Sequence, residues 1–161
     1  KTKMKKMLIS GVAADKNVAK IRVAGLGNDP ESTFRLLNLL DRNNLNIDVM
    51  IQSLGKDGTK SVSFTVAKPD MLRTIDVLND NKDLLGIKKL DYDENVAKIS
   101  VIGAGVRSHS GVAAKMFGAL ANAGINTEMV TTSEIRITAL IDEAYADQAM
   151  RAIHETFLER V

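Results

Sequence analysis

The chain of 161 residues contains no cysteine and no tryptophan, and only 4% of its residues are aromatic. The absence of cysteine excludes disulfides, thiolate metal sites and cysteine nucleophiles. With so few aromatic side chains, the core has to be built from Val, Ile, Leu, Ala and Met. No apolar run approaches the roughly 20 residues that span a bilayer, and the basic N-terminal run precedes no signal-peptide core. We therefore expect a cytoplasmic protein without a membrane-spanning segment.

The chain also lacks an excess of either charge. Lys and Arg number 22 against 20 Asp and Glu, which gives a formal net charge of +2. The two signs are interspersed, and no stripe of basic and aromatic residues of the kind that binds nucleic acid is present. Hydrophobic residues make up 45% of the chain, which is typical of a folded globular protein. We expect neither a nucleic-acid partner nor a metal site.

An internal repeat organises the sequence. Val18–Gly27 recurs as Val96–Gly105, and Leu45–Asp48 recurs as Ile125–Glu128 with the asparagine in register. The offset between matched positions is larger by two in the second pair than in the first. The second repeat therefore carries two extra residues between its first two strands. Such a duplication predicts two units of the same fold.

The first repeat has the pattern of a β-α-β-β-α-β unit. An alternating strand is followed by Asp29-Pro30, a capping side chain and a proline that together favour a helix start. Asn43-Asn44 ends that helix, and Gly55–Gly58 forms a hairpin turn. The predicted strands are Ala19–Gly25, Asn46–Ser53, Lys60–Val66 and Ile87–Tyr92, and the predicted helices run from Pro30 to Arg42 and from Pro69 to Asn79. This order predicts an α+β, ferredoxin-like fold.

The second repeat follows the same order but lacks a fourth strand. Its predicted strands are Ala97–Gly103, Asn126–Thr132 and Ile135–Ile141, and its predicted helices are Gly111–Ala123 and Tyr145–Glu159. A strand-like segment, Met7–Ala13, is left over before the first repeat. We predict that this segment supplies the missing strand. The predicted domains are residues 14–93, and residues 94–161 together with the N-terminal strand 6–13.

Catalytic signals are weak. Gly25-Leu26-Gly27 and Gly103-Ala104-Gly105 do not complete a dinucleotide-binding fingerprint, so tight strand-to-loop geometry is the better interpretation. His154 falls in the last helix, where it is expected to be an ordinary surface or partly buried residue. His109 has no paired base or nucleophile, which favours a binding loop over acid–base chemistry. We predict that this chain has no catalytic site of its own.

Binding signals are stronger. The loop Gly105–Gly111 leads into a helix whose first N–H groups can meet a carboxylate. Asn46 with Asp48, and Asn126 with Glu128, offer amide and carboxylate groups at the start of the second strands. Together these groups suit an amino acid. The spacing alone is equally compatible with asparagines that only end a helix-to-strand turn.

These residues carry a resemblance that covers essentially the whole chain. Ser108–Val112, Asn126–Arg136, Gly11–Ala13 and Asn46–Asp48 followed by Gln52 are similar to the regulatory ACT domains of aspartate kinases. The resemblance implies the free-standing β subunit, or the regulatory half, of an enzyme that phosphorylates the side-chain carboxylate of aspartate with ATP. It implies no cofactor in this chain, because ATP and Mg²⁺ belong to a kinase domain that this sequence does not contain.

The resemblance also implies a ligand and partners. In such proteins lysine, threonine or both bind where two ACT domains pair, so we expect a homodimer that associates with a catalytic domain or α subunit. Glu128 would accept the ammonium group, the amides near Val112 and Ala113 would take the carboxylate, and Asp48 would act in parallel. The candidate residues of the second repeat are Val106, Ser108, His109, Gly111, Val112, Ala113, Asn126, Thr127, Glu128, Ser133 and Glu134. Those of the first repeat are Asn28, Asp29, Asn46, Ile47, Asp48 and Gln52.

Two positions depart from the family pattern. Glu31 places a negative charge at the first helix start, where it would compete with a ligand carboxylate. Thr127 replaces an aliphatic residue. These departures favour the second-repeat site and lysine as effector. They also leave an alternative open, in which the ACT domains serve dimerisation and assembly and the ligand site is degenerate.

Overall fold

The computed structural model describes residues 11–103, 110–133 and 135–158. These residues form two compact units, one of residues 17–94 and the other of residues 11–16 with residues 95–158. Two long strands, β1 (Gly11–Leu26) and β4 (Lys89–Ile102), each contribute residues to both units. The chain thus passes twice from one unit to the other.

The first unit combines a four-stranded sheet with three helices. Its further elements are α1 (Pro30–Arg42), β2 (Met50–Leu54), β3 (Lys60–Ala67), a 3₁₀ turn (Lys68–Asp70), α2 (Met71–Asp80) and α3 (Lys82–Leu85). The strand order is β2-β3-β1-β4, and β3 pairs antiparallel with both of its neighbours. Alternation along β1 and β3 places every second side chain in the core, with Ile21, Val23, Val62 and Phe64 fully buried.

The second unit repeats this plan. Its further elements are α4 (Ser110–Asn122), β5 (Met129–Thr132), β6 (Arg136–Asp142), a 3₁₀ turn (Glu143–Tyr145) and α5 (Ala146–Leu158). The strand order is β1-β4-β6-β5, and β6 pairs antiparallel with β4 and β5. Its core is built mainly from aliphatic side chains, including Ile99, Val101, Ile137 and Ile153, together with Met116. The predicted α+β class with antiparallel, ferredoxin-like units is confirmed.

The prediction of separate strands on either side of each repeat boundary was wrong. The segments predicted as Met7–Ala13 and Ala19–Gly25 belong, within the described residues, to the single strand β1. Ile87–Tyr92 and Ala97–Gly103 likewise merge into β4. Residues 13–17, in the middle of β1, have exposed side chains. Their sequence therefore looks like that of a linker, although their backbone is extended and belongs to the strand. The second strands also begin later than predicted, at Met50 and Met129, and α3 was not predicted.

The predicted turns and helix ends agree with the structure. Gly25 has a φ of 86°, and a Cβ added there would meet the Lys88 side chain at 2.5 Å, so the close strand-to-loop passage requires glycine. In the hairpin, the Gly55 amide donates to the Thr59 carbonyl oxygen at 2.8 Å. Asp29 occupies the helix cap position before Pro30, but its carboxylate accepts from the Ser32 hydroxyl at 2.7 Å instead of from a backbone amide.

The N-terminal part of β1 lies with the second repeat. Val12 packs against the second core. Asp15 lies 3.9 Å from the Lys98 ammonium, and Lys16 lies 3.6 Å from Asp147. Residues 6–10 of the predicted N-terminal strand lie outside the described residues. In the described part of the chain, the units change over between residues 16 and 17 and between residues 94 and 95.

Candidate functional site

A polar cluster surrounds the start of α1 in the first unit. The Lys60 ammonium donates to the Asp29 carbonyl oxygen at 3.0 Å and to the Thr33 hydroxyl at 3.3 Å. Thr33 in turn donates to the Gln52 side-chain carbonyl at 2.7 Å. The predicted residues Asp29 and Gln52 are therefore brought close together by Thr33 and Lys60. Lys60 had not been predicted, because it lies far from Asp29 in the sequence and only the fold joins them.

The charge on Asp29 is held by its neighbours. The Ser32 hydroxyl, which donates to the carboxylate, is the main reason that the pKa of Asp29 lies below its ordinary value. The Arg35 guanidinium, 3.5 Å away, contributes a smaller lowering. Glu31 is exposed in the first turn of the same helix. The start of α1 therefore carries two negative side chains, while the Lys60 ammonium binds the Asp29 backbone carbonyl.

The other predicted residues of the first repeat lie at the opposite end of α1. Asn46 and Asp48 are exposed, Ile47 is half-buried, and the Asp48 amide donates to the Thr65 carbonyl at 3.1 Å. At about 3.3 Å per residue, Asp48 and Gln52 are about 13 Å apart along the strand. One unit alone does not bring Asn46–Asp48 to the start of α1. Asn28 is exposed in the loop before that helix.

The second unit reproduces the same helix-to-strand connection. Gly124 has a φ of 73° where Asn44 has 55° in the first repeat. The Ile125 amide donates to the Leu120 carbonyl at 2.9 Å, as the Leu45 amide does to Leu40. Asn126 and Glu128 are exposed, Thr127 is half-buried, and the Glu128 amide donates to the Leu140 carbonyl at 2.8 Å. In both repeats the asparagine therefore directly follows the residue whose amide closes the helix end.

A cavity opens at this connection. It has a volume of about 340 Å³ and contains two of the predicted residues, Asn126 and Thr127. The remaining walls come from α4 and its end: Phe117, Leu120, Ala121, Gly124 and Ile125. Volumes of this size are in the range of small-molecule sites, with mostly apolar walls and a few polar groups. The sequence pattern did not predict a cavity, because its lining combines the end of a helix with the residues that follow it, and two of these residues, Leu120 and Ile125, are buried in the core.

The start of α4 holds the other predicted group. Val112 is buried in the second core and Ala113 packs against it, so only their backbone amides could face a ligand. Gly111 is exposed with open space around it. Val106, Ser108, His109 and Glu134 lie outside the described residues. Ser133 is exposed in the turn between β5 and β6, where its amide donates to the Arg136 carbonyl at 2.7 Å.

A buried cation lies on α4 near that start. The Lys115 ammonium is buried, and in the described part of the chain it has no hydrogen-bond partner. Lys115 occupies the position in the second repeat that Arg35 occupies in the first, so both repeats place a cation at the same helical position. A buried ammonium favours an anionic partner. Sequence reasoning missed Lys115, which is flanked by core positions in a helical pattern.

Neither a metal site nor a membrane-spanning helix is found among the described residues. Among the described residues no group of three or more His, Asp and Glu is arranged to hold a metal ion. The helices seen in residues 11–103, 110–133 and 135–158 are too short or too polar to cross a membrane. His154 is exposed on α5.

Comparison with known proteins identifies the family. A sequence model described as an ACT domain matches residues 99–157. The chain is 36% identical over 154 residues to an aspartokinase of Pseudomonas aeruginosa and 38% identical over 155 residues to one of Helicobacter pylori. These alignments cover 96% of this chain but only 37% and 38% of those relatives. The chain therefore spans little more than a third of the length of such relatives.

Two solved structures match over nearly their whole length. A crystal structure of aspartokinase α and β subunits has 41% identity and a TM-score of 0.86, and 92% of this chain covers 98% of that chain. The ligand-free regulatory subunit of aspartate kinase from Thermus thermophilus has 32% identity and a TM-score of 0.88, with 93% and 99% coverage. The chain belongs to the aspartokinase family. It corresponds to the regulatory, ACT-domain part of an aspartokinase.

In the aspartokinase regulatory fold, the two groups of predicted residues in the second repeat lie at opposite ends of α4. Within the second repeat the ACT match begins in β4 and ends in α5, so it includes the cavity and the start of α4. From Ala113 to Asn122, where α4 ends, the helix rises about 14 Å at 1.5 Å per residue. An amino acid is too short to reach from one group to the other. In this aspartokinase chain the residues at the start of α4 therefore lie apart from Asn126–Glu128, and one amino acid does not contact both groups within a single unit.

Proposed function

We propose that this chain is the feedback-regulatory part of an aspartokinase and that it binds an end-product amino acid, lysine or threonine or both. One observation carries the proposal. The match to a regulatory subunit of aspartate kinase covers 99% of that subunit, at 32% identity. The cavity beside Asn126 and Thr127 supports a small-molecule ligand. The kinase part, with its ATP, Mg²⁺ and aspartate sites, belongs to the remainder of the polypeptide or to a partner subunit.

The effector binds where two ACT domains pair in this proposal. Its carboxylate meets the amides at the start of α4, and its ammonium meets Glu128 of a neighbouring ACT domain. The helical rise of about 14 Å between Ala113 and Asn122 supports a shared site, because one amino acid is too short to reach from the start of α4 to its end. Lys115 adds a cation near the carboxylate end. A homodimer whose ACT domains pair across two chains is part of this proposal.

Inhibition in this proposal is a population shift. The effector prefers one arrangement of paired regulatory domains, and that arrangement holds the kinase inactive. A difference in affinity of about 5- to 150-fold between the two arrangements, about 1–3 kcal/mol, is typical of allosteric coupling. An effector with equal affinity for both would not inhibit.

Isothermal titration calorimetry with lysine, with threonine and with both tests the proposal. We expect lysine to bind and Glu128→Ala to remove the heat, because the ammonium loses its acidic partner. Glu155→Ala, an exposed glutamate on α5, is the matched control and should leave binding unchanged. Retained binding in Glu128→Ala would contradict the assigned role.

The first repeat favours a second candidate function, assembly without a ligand. Its helix start is already engaged by Lys60, Thr33, Gln52 and Ser32, and Glu31 adds a negative charge. Absence of heat with lysine, threonine and their mixture would favour an assembly module. Sedimentation velocity of the chain would then show whether it still dimerises.

A further inference from the structure

Three side chains of the first unit join the start of α1 to the hairpin of β2 and β3. The Thr33 hydroxyl, in the first turn of the helix, donates to the Gln52 side-chain carbonyl at 2.7 Å. The Lys60 ammonium, at the first residue of β3, donates to the same hydroxyl at 3.3 Å and to the Asp29 carbonyl at 3.0 Å. We name Lys60, Thr33 and Gln52 the Lys60 cluster. A ligand that contacts both this helix start and Gln52 has to displace these hydrogen bonds.

The loop before α1 is filled by its own side chains as well. A Cβ added at Gly27 would meet the Asp29 carboxylate oxygen at 2.5 Å and the Ser32 hydroxyl oxygen at 3.1 Å. The Asp29 carboxylate therefore lies over Gly27, where it accepts from Ser32. Pro30, at the first helical position, has no N–H to donate. The unit's own carboxylate thus occupies the space beside the helix start, and one backbone donor is missing there.

The hairpin of the second repeat carries different residues at the matching positions. The strand pairings align the two hairpins with each other. In this alignment Thr132 stands at the position of Gln52, and Ile135 stands at the position of Lys60. Thr132 is shorter than Gln52, and Ile135 is an exposed apolar side chain. The second hairpin therefore has no ammonium at the position from which Lys60 reaches its helix.

The start of α4 differs from that of α1 in the same sense. Ala113 stands at the position of Thr33, and Gly111 stands at the position of Glu31. Ala113 has no hydroxyl that could bridge the helix and the hairpin. Among the described residues, no atom lies within 4 Å of a Cβ added at Gly111. The second helix start therefore lacks the side chains that occupy the first.

We propose that the Lys60 cluster keeps the first helix start closed to effectors, so that each chain binds its effector only at the second helix start. The number of effectors per chain rests on the proposed function, whereas the contacts of the cluster do not. An effector at the start of α1 would replace hydrogen bonds that are already made, and its carboxylate would meet the negative charge of Glu31. Each hydrogen bond that it breaks without replacement weakens binding about twofold to tenfold.

Calorimetry of the full chain with lysine and with threonine counts the sites. We expect wild type to bind one ligand per chain. Glu31→Gly, Thr33→Ala and Lys60→Ile together give the first repeat the residues of the second, and this triple variant should bind two. Glu31→Gly alone removes the competing charge but keeps the cluster, so this control should still bind one. Two ligands in wild type or in Glu31→Gly, or no additional ligand in the triple variant, would overturn the proposal.

Acetylation of the lysines, followed by mass spectrometry, tests the cluster without any effector. Lys60 should react more slowly than the exposed Lys56 of the same hairpin, because two hydrogen bonds hold its ammonium. Thr33→Ala should accelerate the reaction of Lys60 about twofold to tenfold, as expected for the loss of one hydrogen bond, and should leave Lys56 unchanged. Equal rates for the two lysines, or a Lys60 rate that Thr33→Ala does not change, would contradict the role of the cluster.

The calorimetric outcomes separate this inference from the proposed function. One ligand per chain in wild type and in the triple variant would overturn the closed helix start and leave the effector function standing. Binding by the triple variant alone would support the closed helix start and contradict effector binding at the second one. Absence of binding in all three proteins would contradict both.

Discussion

At the scale of single residues, Asp29 shows how a helix start can be built without a side-chain-to-amide cap. Its carboxylate accepts from the Ser32 hydroxyl and lies 3.5 Å from Arg35. Both neighbours stabilise the ionised form, so the folded pKa lies below that of the unfolded chain. Ionised Asp29 therefore stabilises the folded state above the unfolded pKa, and this stabilisation is lost as the pH falls through the folded value.

Asp29→Asn should make this contribution measurable, because asparagine keeps the capping shape and removes the charge. At pH 7 we expect a higher urea concentration at the unfolding midpoint for wild type than for Asp29→Asn. The gap should close as the pH falls below about 3.9, the ordinary value for aspartate. Urea unfolding at pH 7, 5, 4 and 3 provides the measurement.

Asp76→Asn corrects for the general loss of one negative charge, since Asp76 is exposed on α2. A difference between wild type and Asp29→Asn that remains constant or widens down to pH 3 would show that the carboxylate charge is not what stabilises the helix start.

Residues whose signal is local could be predicted from the sequence, and those whose partners are distant could not. Asn126 and Thr127 were predicted because the duplication repeats their motif, and the structure places them at a cavity. Lys60 has partners that are distant in the sequence, Asp29 and Thr33, and only the packing of the helix against the strand brings them together.

At the scale of elements, the helix ends obey simple rules. Left-handed backbone costs a residue with a side chain about 1–2 kcal/mol, whereas glycine adopts it freely. The first repeat places Asn44 and the second places Gly124 at the left-handed position of the same turn. Asn-Asn after an apolar helical pattern was therefore a reliable stop signal in the first repeat.

Opposite effects are expected for two glycines near the same helix. Gly124→Ala should lower the free energy of unfolding by about 1 kcal/mol, because φ is 73° there. Gly118→Ala, in the exposed middle of α4 with open space around its Cβ, should raise it by about 0.5–1 kcal/mol. Urea unfolding of both variants measures the difference. Shifts in the same direction would contradict this account of the helix end.

Strand lengths were the least predictable elements. β1 and β4 continue through polar, exposed residues where sequence patterns indicate a linker. Backbone hydrogen bonding needs no particular side chain, so an extended ladder can continue where alternation is lost. The register of the buried positions, in contrast, was predictable, because Ile21, Val23, Ile99 and Val101 repeat with period two.

At the scale of the whole molecule, the first unit is an insertion within the second. Residues 11–16 and 95–158 belong together, with residues 17–94 between them in the chain. The strand order β1-β4-β6-β5 makes the N-terminal segment the neighbour of β4, and Val12 packs on that core. The integrity of the second unit therefore depends on a segment that the whole first unit separates from it in the sequence.

Deletion of residues 1–16 should destabilise the second unit selectively. We expect faster hydrogen exchange in peptides that contain Ile99–Val101 and Ile137–Ile141, because β4 loses a hydrogen-bonded neighbour and the core loses Val12. Peptides with Ile21–Val23 and Val62–Phe64 should exchange as before. Mass spectrometry of the exchange provides the measurement.

Asp15→Ala serves as its control, since Asp15 is exposed and lies 3.9 Å from Lys98, and removing one partner of such a long ion pair is expected to cost little. Equal loss of protection in both units, or none in either, would show that residues 11–16 do not stabilise the second unit.

The nested chain path has a mechanical consequence. Because residues 16 and 95 are both held by the second unit, tension applied at the two ends of the chain is borne there. The inserted unit bears no tension until the second unit unfolds. A pulling experiment should therefore show two rupture events in fixed sequence, with the ACT repeat that holds the cavity always giving way before its inserted twin.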